Sequence, residues 1–238
     1  MTNMNTNPLR PSKEEIIWRY IGLDKLIDLL ITKTLKFTVV SIASDKNELQ
    51  WILKSLKDSP EYDKHNEGAS FHINWLRNTT YISCWTMKET ESRSLWATYL
   101  GFDKIGVAIK STVGNFIDSL NWNNYGFDYR IVDYRNNFNF EEIQSNIIVT
   151  NTKNTAYKEE SEIRFYVTHK DLINYDKLVI NDNPKDKVIS FEVDLSHLIQ
   201  ELMISPYCAK WQRDNIIRLV EKYQPNLTNK ISESTIYE

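Results

Sequence analysis

Residues 16–40 read IIWRYIGLDKLIDLLITKTLKFTVV, and this stretch decides the kind of fold. Ile16 to Ile21 reads as a strand or as the end of a short helix. Leu23, Leu26, Ile27, Leu30 and Ile31 then recur at helical spacing and form one apolar stripe. Leu35 to Val40 is rich in β-branched residues and predicts a strand. A strand, a helix and a strand with very short joints point to sheet and helices in one layered unit.

Working outward, Asp45 is placed to cap a second helix in which Leu49, Ile52, Leu53 and Leu56 share a face. Asp58 to Gly68 is polar and reads as a loop, followed by a short amphipathic piece around Phe71, Ile73 and Leu76. Tyr81 to Met87 is apolar on both faces, as a central strand is. A helix follows with Leu95, Trp96, Tyr99 and Leu100 turned inward. Ile105, Val107 and Ile109 alternate with Gly106 and Ala108, a strand whose second face lies close to a neighbour. Phe127 to Tyr134, Ser145 to Thr150, Glu162 to Val167 and Val188 to Asp194 read as strands, His197 to Leu202 as helical, and Met203 to Tyr207 as a last short strand. Ile216, Leu219, Val220 and Tyr223 mark a helix that ends before Pro225. The expected architecture is therefore α+β: a flexible arm over residues 1–11, then one domain over 12–238 with a mixed or antiparallel sheet flanked by helices. No repeat or interior composition shift suggests a boundary.

Composition narrows the function classes. Hydrophobic residues make up 41% of the 238 and charged residues 26%, which suits a globular protein with a real core. With 29 basic against 32 acidic side chains, the net charge is −3, and no basic face for duplex nucleic acid is visible. The runs Lys33 to Lys36 and Lys185 to Lys187 read as solvated faces. Six glycines form neither G-x-G-x-x-G nor G-x-x-x-x-G-K-[ST], so the Rossmann and P-loop ways of cradling a phosphate are missing. No stretch approaches the roughly 20 apolar residues of a membrane span. The polar opening lacks a signal peptide's apolar middle, so a cytoplasmic location with reduced Cys84 and Cys208 is expected. Cys84, in an apolar strand, reads as a buried structural thiol rather than a reactive one.

Three groups can carry chemistry. On a strand, Glu160, Glu162 and Arg164 share one face while Ile163, Phe165 and Val167 take the other. Two close carboxylates raise one pKa, which suits general acid or base work, whereas an arginine can lock them into ion pairs on a solvent-facing edge. Arg19 and Tyr20 offer a guanidinium fork for phosphate with a phenol beside it, or a surface arginine and a packing tyrosine. Ser83 and Trp85 share a strand face, placing a hydroxyl beside a stacking ring; for Trp85, as for Trp96 and Tyr99, core packing is the first reading and ligand stacking the second.

Metal chemistry has weaker footing. His65, His72, His169 and His197 lack metal-binding spacing, and no metal ligands are assigned. A Mg²⁺-dependent nuclease would gather Asp45 and Glu48 with Glu160 and Glu162, although Asp45 and Glu48 read equally as a helix N-terminal acidic pair. Ser83 lacks the nucleophile elbow of a Ser-His-Asp hydrolase.

The order of four local signatures resembles the bacterial domain of unknown function 2971 family, over roughly Trp18 to Ser232. They are Trp18-Arg19-Tyr20 with Leu35-Lys36-Phe37-Thr38; Ile82-Ser83-Cys84-Trp85 leading to Ser94-Leu95-Trp96-Ala97-Thr98-Tyr99 and Ile105-Gly106-Val107-Ala108-Ile109; Tyr157 with Glu159-Glu160-Ser161-Glu162-Ile163-Arg164; and Ile204-Ser205-Pro206. Where that family often has an Asn-Asp-Pro turn, this chain has Ser44-Asp45-Lys46-Asn47-Glu48. The resemblance implies a bacterial or phage-borne protein of the kind found near mobile elements and defence genes, a defence- or toxin-type effector.

The layout is also similar to that of ADP-ribosyltransferases, which split NAD at the nicotinamide bond. By that likeness Glu162 would stabilise the oxocarbenium-like cation and Glu160 would orient a protein or nucleic-acid acceptor. Arg19, Tyr20, Ser83, Trp85 and Tyr99 would hold NAD, which is substrate here rather than resident cofactor. The Ser-Thr-Ser strand of that layout is replaced by Ser83-Cys84-Trp85, and no His occupies the opening strand. The non-enzymatic alternative is a sensor or a protein- or nucleotide-binding module using the same aromatic residues.

Overall fold

The computed structural model describes residues 10–42, 49–57, 60–101, 105–122, 125–168, 173–174, 179–180 and 186–236. In chain order the elements are β1 (Ile16–Gly22), α1 (Leu23–Thr32), β2 (Thr34–Val39), α2 (Gln50–Ser55), α3 (Pro60–Thr79), β3 (Thr80–Met87) and α4 (Arg93–Tyr99). Next come β4 (Gly106–Thr112), α5 (Val113–Ser119), β5 (Gly126–Ile131), β6 (Asp133–Tyr134), α6 (Asn146–Asn151), β7 (Thr152–Lys153) and β8 (Glu162–Thr168). The chain continues through β9 (Ile173–Asn174), β10 (Val179–Ile180), β11 (Val188–Glu192), α7 (Leu195–Leu198), β12 (Glu201–Ile204), α8 (Lys210–Tyr223) and β13 (Ile231–Glu233). The fold is α+β, with mostly antiparallel strand pairs and helices.

Contacts gather these elements into two units, neither continuous in sequence. Unit 1 takes Arg10, Lys36–Cys84 and Trp122–Ile189; unit 2 takes Pro11–Leu35, Trp85–Asn121 and the chain from Ser190 onward. In unit 2, β1 pairs antiparallel with β4 along its whole length, from Ile16↔Thr112 to Gly22↔Gly106. Its other side takes the end of β3 through Ile17↔Met87 and Trp18↔Thr86. Beyond β4 lie antiparallel β12 and then parallel β13. Helix α1 buries Leu26, Leu29 and Leu30, and its C-terminal Leu30 carbonyl accepts from the Gln224 side chain at 3.0 Å, just past α8. Gly106 is required by close approach. A Cβ there would stand 2.4 Å from the Ile21 carbonyl oxygen and 2.5 Å from a Leu100 methyl.

In unit 1, β2 pairs antiparallel with β3 (Thr38↔Ile82, Val39↔Tyr81). Strand β8 lies between β3 and β5, the last being antiparallel from Gly126↔Thr168 to Ile131↔Ile163. Leu49, Ile52, Leu53 and Leu56 pack with Ile73 and Leu76 of α3 and with Phe138, Ile143 and Val149, so the expected face of α2 is the buried one. Asp45 and Glu48 lie outside the described residues, as does His169.

Several expectations are corrected. Residues 60–68, expected as loop, belong to α3, a helix of 20 residues. Residues 63–68 are all exposed, so their polarity marks turns facing water, while Ala69, Ile73 and Leu76 supply the buried stripe. Ser145 to Thr150, expected as strand, is α6. Its β-branched run favours a strand locally, but Ser145 caps the turn by accepting the Ile148 N–H at 3.4 Å, and Val149 is buried. The helical turn expected over His197 to Leu202 sits earlier, at Leu195–Leu198, because the Asp194 carboxylate accepts the Ser196 and His197 N–H groups. Residues 201–204 are thereby free to pair with β4, ahead of the strand expected at Met203 to Tyr207. Tyr99 turns outward, 44% exposed, while Leu95, Trp96 and Leu100 are buried. The described end of the opening arm is tied down: Arg10 donates from Nε and Nη2 to Asp128 at 3.1 and 2.7 Å, and Pro11 is buried.

Candidate functional site

Unit 1 carries a buried ionic cluster at the start of β8. Glu162, Arg164 and Tyr166 leave the strand on one face, as alternation requires, and Ile163, Phe165 and Val167 on the other. Glu160 is not on the strand. It ends a 3₁₀ turn over Thr155–Glu160, and Ser161 reverses the chain with a left-handed φ of 44°. The two glutamates nevertheless meet at Lys153, whose Nζ donates to Glu160 Oε2 at 2.8 Å and to Glu162 Oε2 at 3.2 Å. The Arg164 fork completes the arrangement: Nε donates to Glu162 Oε1 at 2.8 Å, Nη2 to Glu162 Oε2 at 3.2 Å and Nη1 to the Thr150 carbonyl at 2.8 Å. A solvent-facing strand edge is therefore overturned, since Glu162 is 3% exposed and Arg164 1%. The backbone closes the same knot, the Glu162 N–H donating to the Tyr134 hydroxyl at 2.8 Å.

Electrostatics divide the two carboxylates. Burial pushes Glu162 up, but Arg164, Lys153 and the Cys84 thiol together bring it down to about 2. Glu160 moves the other way: burial outweighs Lys153 and holds its carboxyl above the ordinary range. The Cys84 thiol is pushed well up by burial and by the Glu162 charge, which leaves it a protonated donor and fits the structural reading. Lys153 is the member that sequence reasoning missed. Its only signal was a lysine nine residues before Glu162, and that spacing has no meaning until β6 and β7 pair through Tyr134↔Lys153.

The residues expected to bind NAD separate into different surroundings. Arg19 and Tyr20, adjacent on β1, leave it on opposite faces, so the phenol is not beside the guanidinium. The Arg19 guanidinium lies 5.8 Å from the Trp85 ring centre, and Trp85 in turn meets Phe116 edge-on at 5.4 Å. Tyr20 meets Trp96 edge-on at 4.8 Å and stacks with Tyr99 at 6.1 Å and an interplanar angle of 5°. The Tyr20 hydroxyl accepts the Ser92 N–H at 2.9 Å, and burial lifts its pKa to about 12. Ser83, buried in unit 1, shares its face of β3 with Trp85 and points away from Cys84, hence away from Glu162. The structure thus joins Glu160 with Glu162, Arg19 with Trp85, and Tyr20 with Tyr99, and it sets Ser83 apart from the glutamates.

Among the described residues, no group of three or more His, Cys, Asp or Glu side chains is placed to hold a metal ion, and no helix is long and apolar enough to cross a membrane. The chain matches no family model, no curated protein and no solved structure.

Proposed function

We propose that the chain is a recognition module of the sensor type, binding a flat-ringed ligand of nucleotide class on the aromatic face of Tyr99, and that the Glu162 cluster is structural. One observation carries this: both Glu162 oxygens already accept from Arg164, one also from Lys153, inside a nearly sealed environment. A glutamate that splits NAD must offer an oxygen to a ribose hydroxyl and negative charge to a forming cation. Two buried cations already neutralise this one. Tyr99, by contrast, is 44% exposed and stacks on Tyr20, which Trp96 meets edge-on. Such a preassembled array suits a ring that arrives from water. The signatures resembling the domain of unknown function 2971 family favour a bacterial defence setting for the module.

Titration with NAD, adenosine monophosphate and nicotinamide tests the proposal. Tyr99→Ala should weaken binding about tenfold or more, of the order of 1–3 kcal/mol for one stacked ring, with little change in Tm. Binding by none of these ligands, or nicotinamide release that Glu162→Gln abolishes in a folded protein, would sink it. A second reading has its own observation. The Glu160 side chain is 16% exposed with its carboxyl pKa raised, the state a general acid requires. NAD cleavage through Glu160 predicts nicotinamide release that Glu160→Gln removes in a protein that still folds.

A further inference from the structure

The face of β8 that carries Glu162, Arg164 and Tyr166 continues onto β5, within unit 1. The antiparallel register sets Asp128 opposite Tyr166 and Arg130 opposite Arg164, and residues opposed in this way point to the same side. Two guanidiniums directly across a ladder repel unless each meets an anion. Arg164 does, since Glu162 takes its fork and the Thr150 carbonyl another donor. Arg130 is served less well. Its ion pair among the described residues runs from Nη2 to Asp128 Oδ2 at 2.9 Å. Its Nε is shielded from water and has no hydrogen-bond partner there, in a residue only 8% exposed. A buried donor in that state bears its full desolvation cost. Asp128 is engaged elsewhere: Oδ1 accepts Arg10 Nε and Nη2 at 3.1 and 2.7 Å and the Tyr129 N–H at 2.9 Å. Two guanidiniums, Arg10 and Arg130, therefore share one carboxylate.

We propose that Arg130 and Arg10 form a binding site for a tetrahedral oxyanion of the phosphate class, and that Asp128 holds the place of that oxyanion. The three side chains differ in freedom. Asp128 is 26% exposed and can turn into water, whereas Arg130, at 10%, cannot follow it and requires another anion. Arg10 is 56% exposed, but its guanidinium also lies 5.6 Å from the Tyr129 ring centre, which keeps the fork at the site when the carboxylate leaves. A carboxylate offers its oxygens in one plane; a phosphate offers them in several directions and reaches Arg130 Nε together with Nη2 and the Arg10 fork. The site lies in unit 1 and needs no ring, so it goes beyond the stacking on Tyr99 and does not depend on it.

Calorimetric titration of the full chain with inorganic phosphate, at an ionic strength held constant with chloride, tests the site. Arg130→Gln should weaken phosphate binding about tenfold or more, and Arg10→Gln should weaken it several-fold. Asp128→Asn removes the competing charge and should tighten it. Tyr99→Ala should leave it unchanged, because phosphate has no ring to stack. Should Arg130→Gln fail to fold, the opposite signs expected of Arg10→Gln and Asp128→Asn still decide. Phosphate binding by neither the native chain nor Asp128→Asn overturns the site, as does binding indifferent to both arginines, or binding that Asp128→Asn leaves unchanged or weakens. Adenosine monophosphate bound through Tyr99 by a chain that ignores phosphate refutes the oxyanion site and spares the stacking reading. Phosphate binding lost in the arginine variants of a chain that takes no nucleotide does the reverse.

Discussion

Glu162 is an ionised carboxylate in a place from which water is nearly excluded, and its neighbours determine what its removal does. Glu162→Gln leaves the Arg164 and Lys153 charges buried with weaker partners, and breaking a buried pair from one side costs about 3–5 kcal/mol. At about 2–4 °C per kcal/mol for a chain of this size, Tm should fall by roughly 10 °C, which calorimetry would measure. The pH dependence has a definite sign. With its pKa near 2 in the fold against an ordinary 4.5, Glu162 contributes its full stabilisation above pH 4.5 and loses it as the pH falls towards 2. Urea unfolding across that window should show stability dropping steeply in the native chain and much less in Glu162→Gln. Glu160 has the opposite tendency, because its raised carboxyl favours the protonated form, so Glu160→Gln should not reproduce the acid effect. An equal acid sensitivity in the two variants would contradict the division of roles between them.

At the scale of elements, α3 makes a sharp prediction. Ile73→Ala empties a fully buried position and should cost about 2–5 kcal/mol, whereas Glu67→Ala, earlier in the same helix on the exposed stretch, should stay within about 0.5 kcal/mol. Denaturant midpoints of the two variants would check the contrast. The same helix marks the limit of what the sequence discloses. The opening strand, helix and strand were readable because Leu26, Leu30 and their neighbours repeat at one period and the joints are short. Residues 63–68 were not readable, since helical turns facing only water have no apolar residue to set a phase. For α6 the obstacle was a conflict, with Ile147, Ile148 and Val149 locally favouring a strand and the Ser145 cap and tertiary burial deciding otherwise. The cluster was half legible. Alternation along β8 placed Glu162 with Arg164 correctly, but the left-handed Ser161 interrupts the pattern, so Glu160 reaches the same lysine from a 3₁₀ turn instead of from the strand. The divergence of Arg19 and Tyr20 follows from strand geometry alone once β1 is known to be a strand rather than a helix end.

For the whole molecule, the decisive property is that each unit is assembled from stretches separated in sequence, so no cut of the chain isolates one of them. A fragment ending at Asn121 holds Lys36–Cys84 but lacks β8 and β5, and should show neither a cooperative thermal transition nor dispersed amide resonances. A well-folded fragment of that length would refute the dependence of β3 on β8. Pairings between distant residues also slow folding, because chain closure must precede the contacts that reward it. During synthesis the delay has a definite place. β3 is complete at Met87, yet its partner β8 begins only at Glu162, and at about 5–20 residues per second the interval is roughly 4–15 s. Throughout that interval a strand apolar on both sides has one unfilled flank on the ribosome, which makes Thr80–Met87 a segment of the nascent chain that gains from a chaperone's cover.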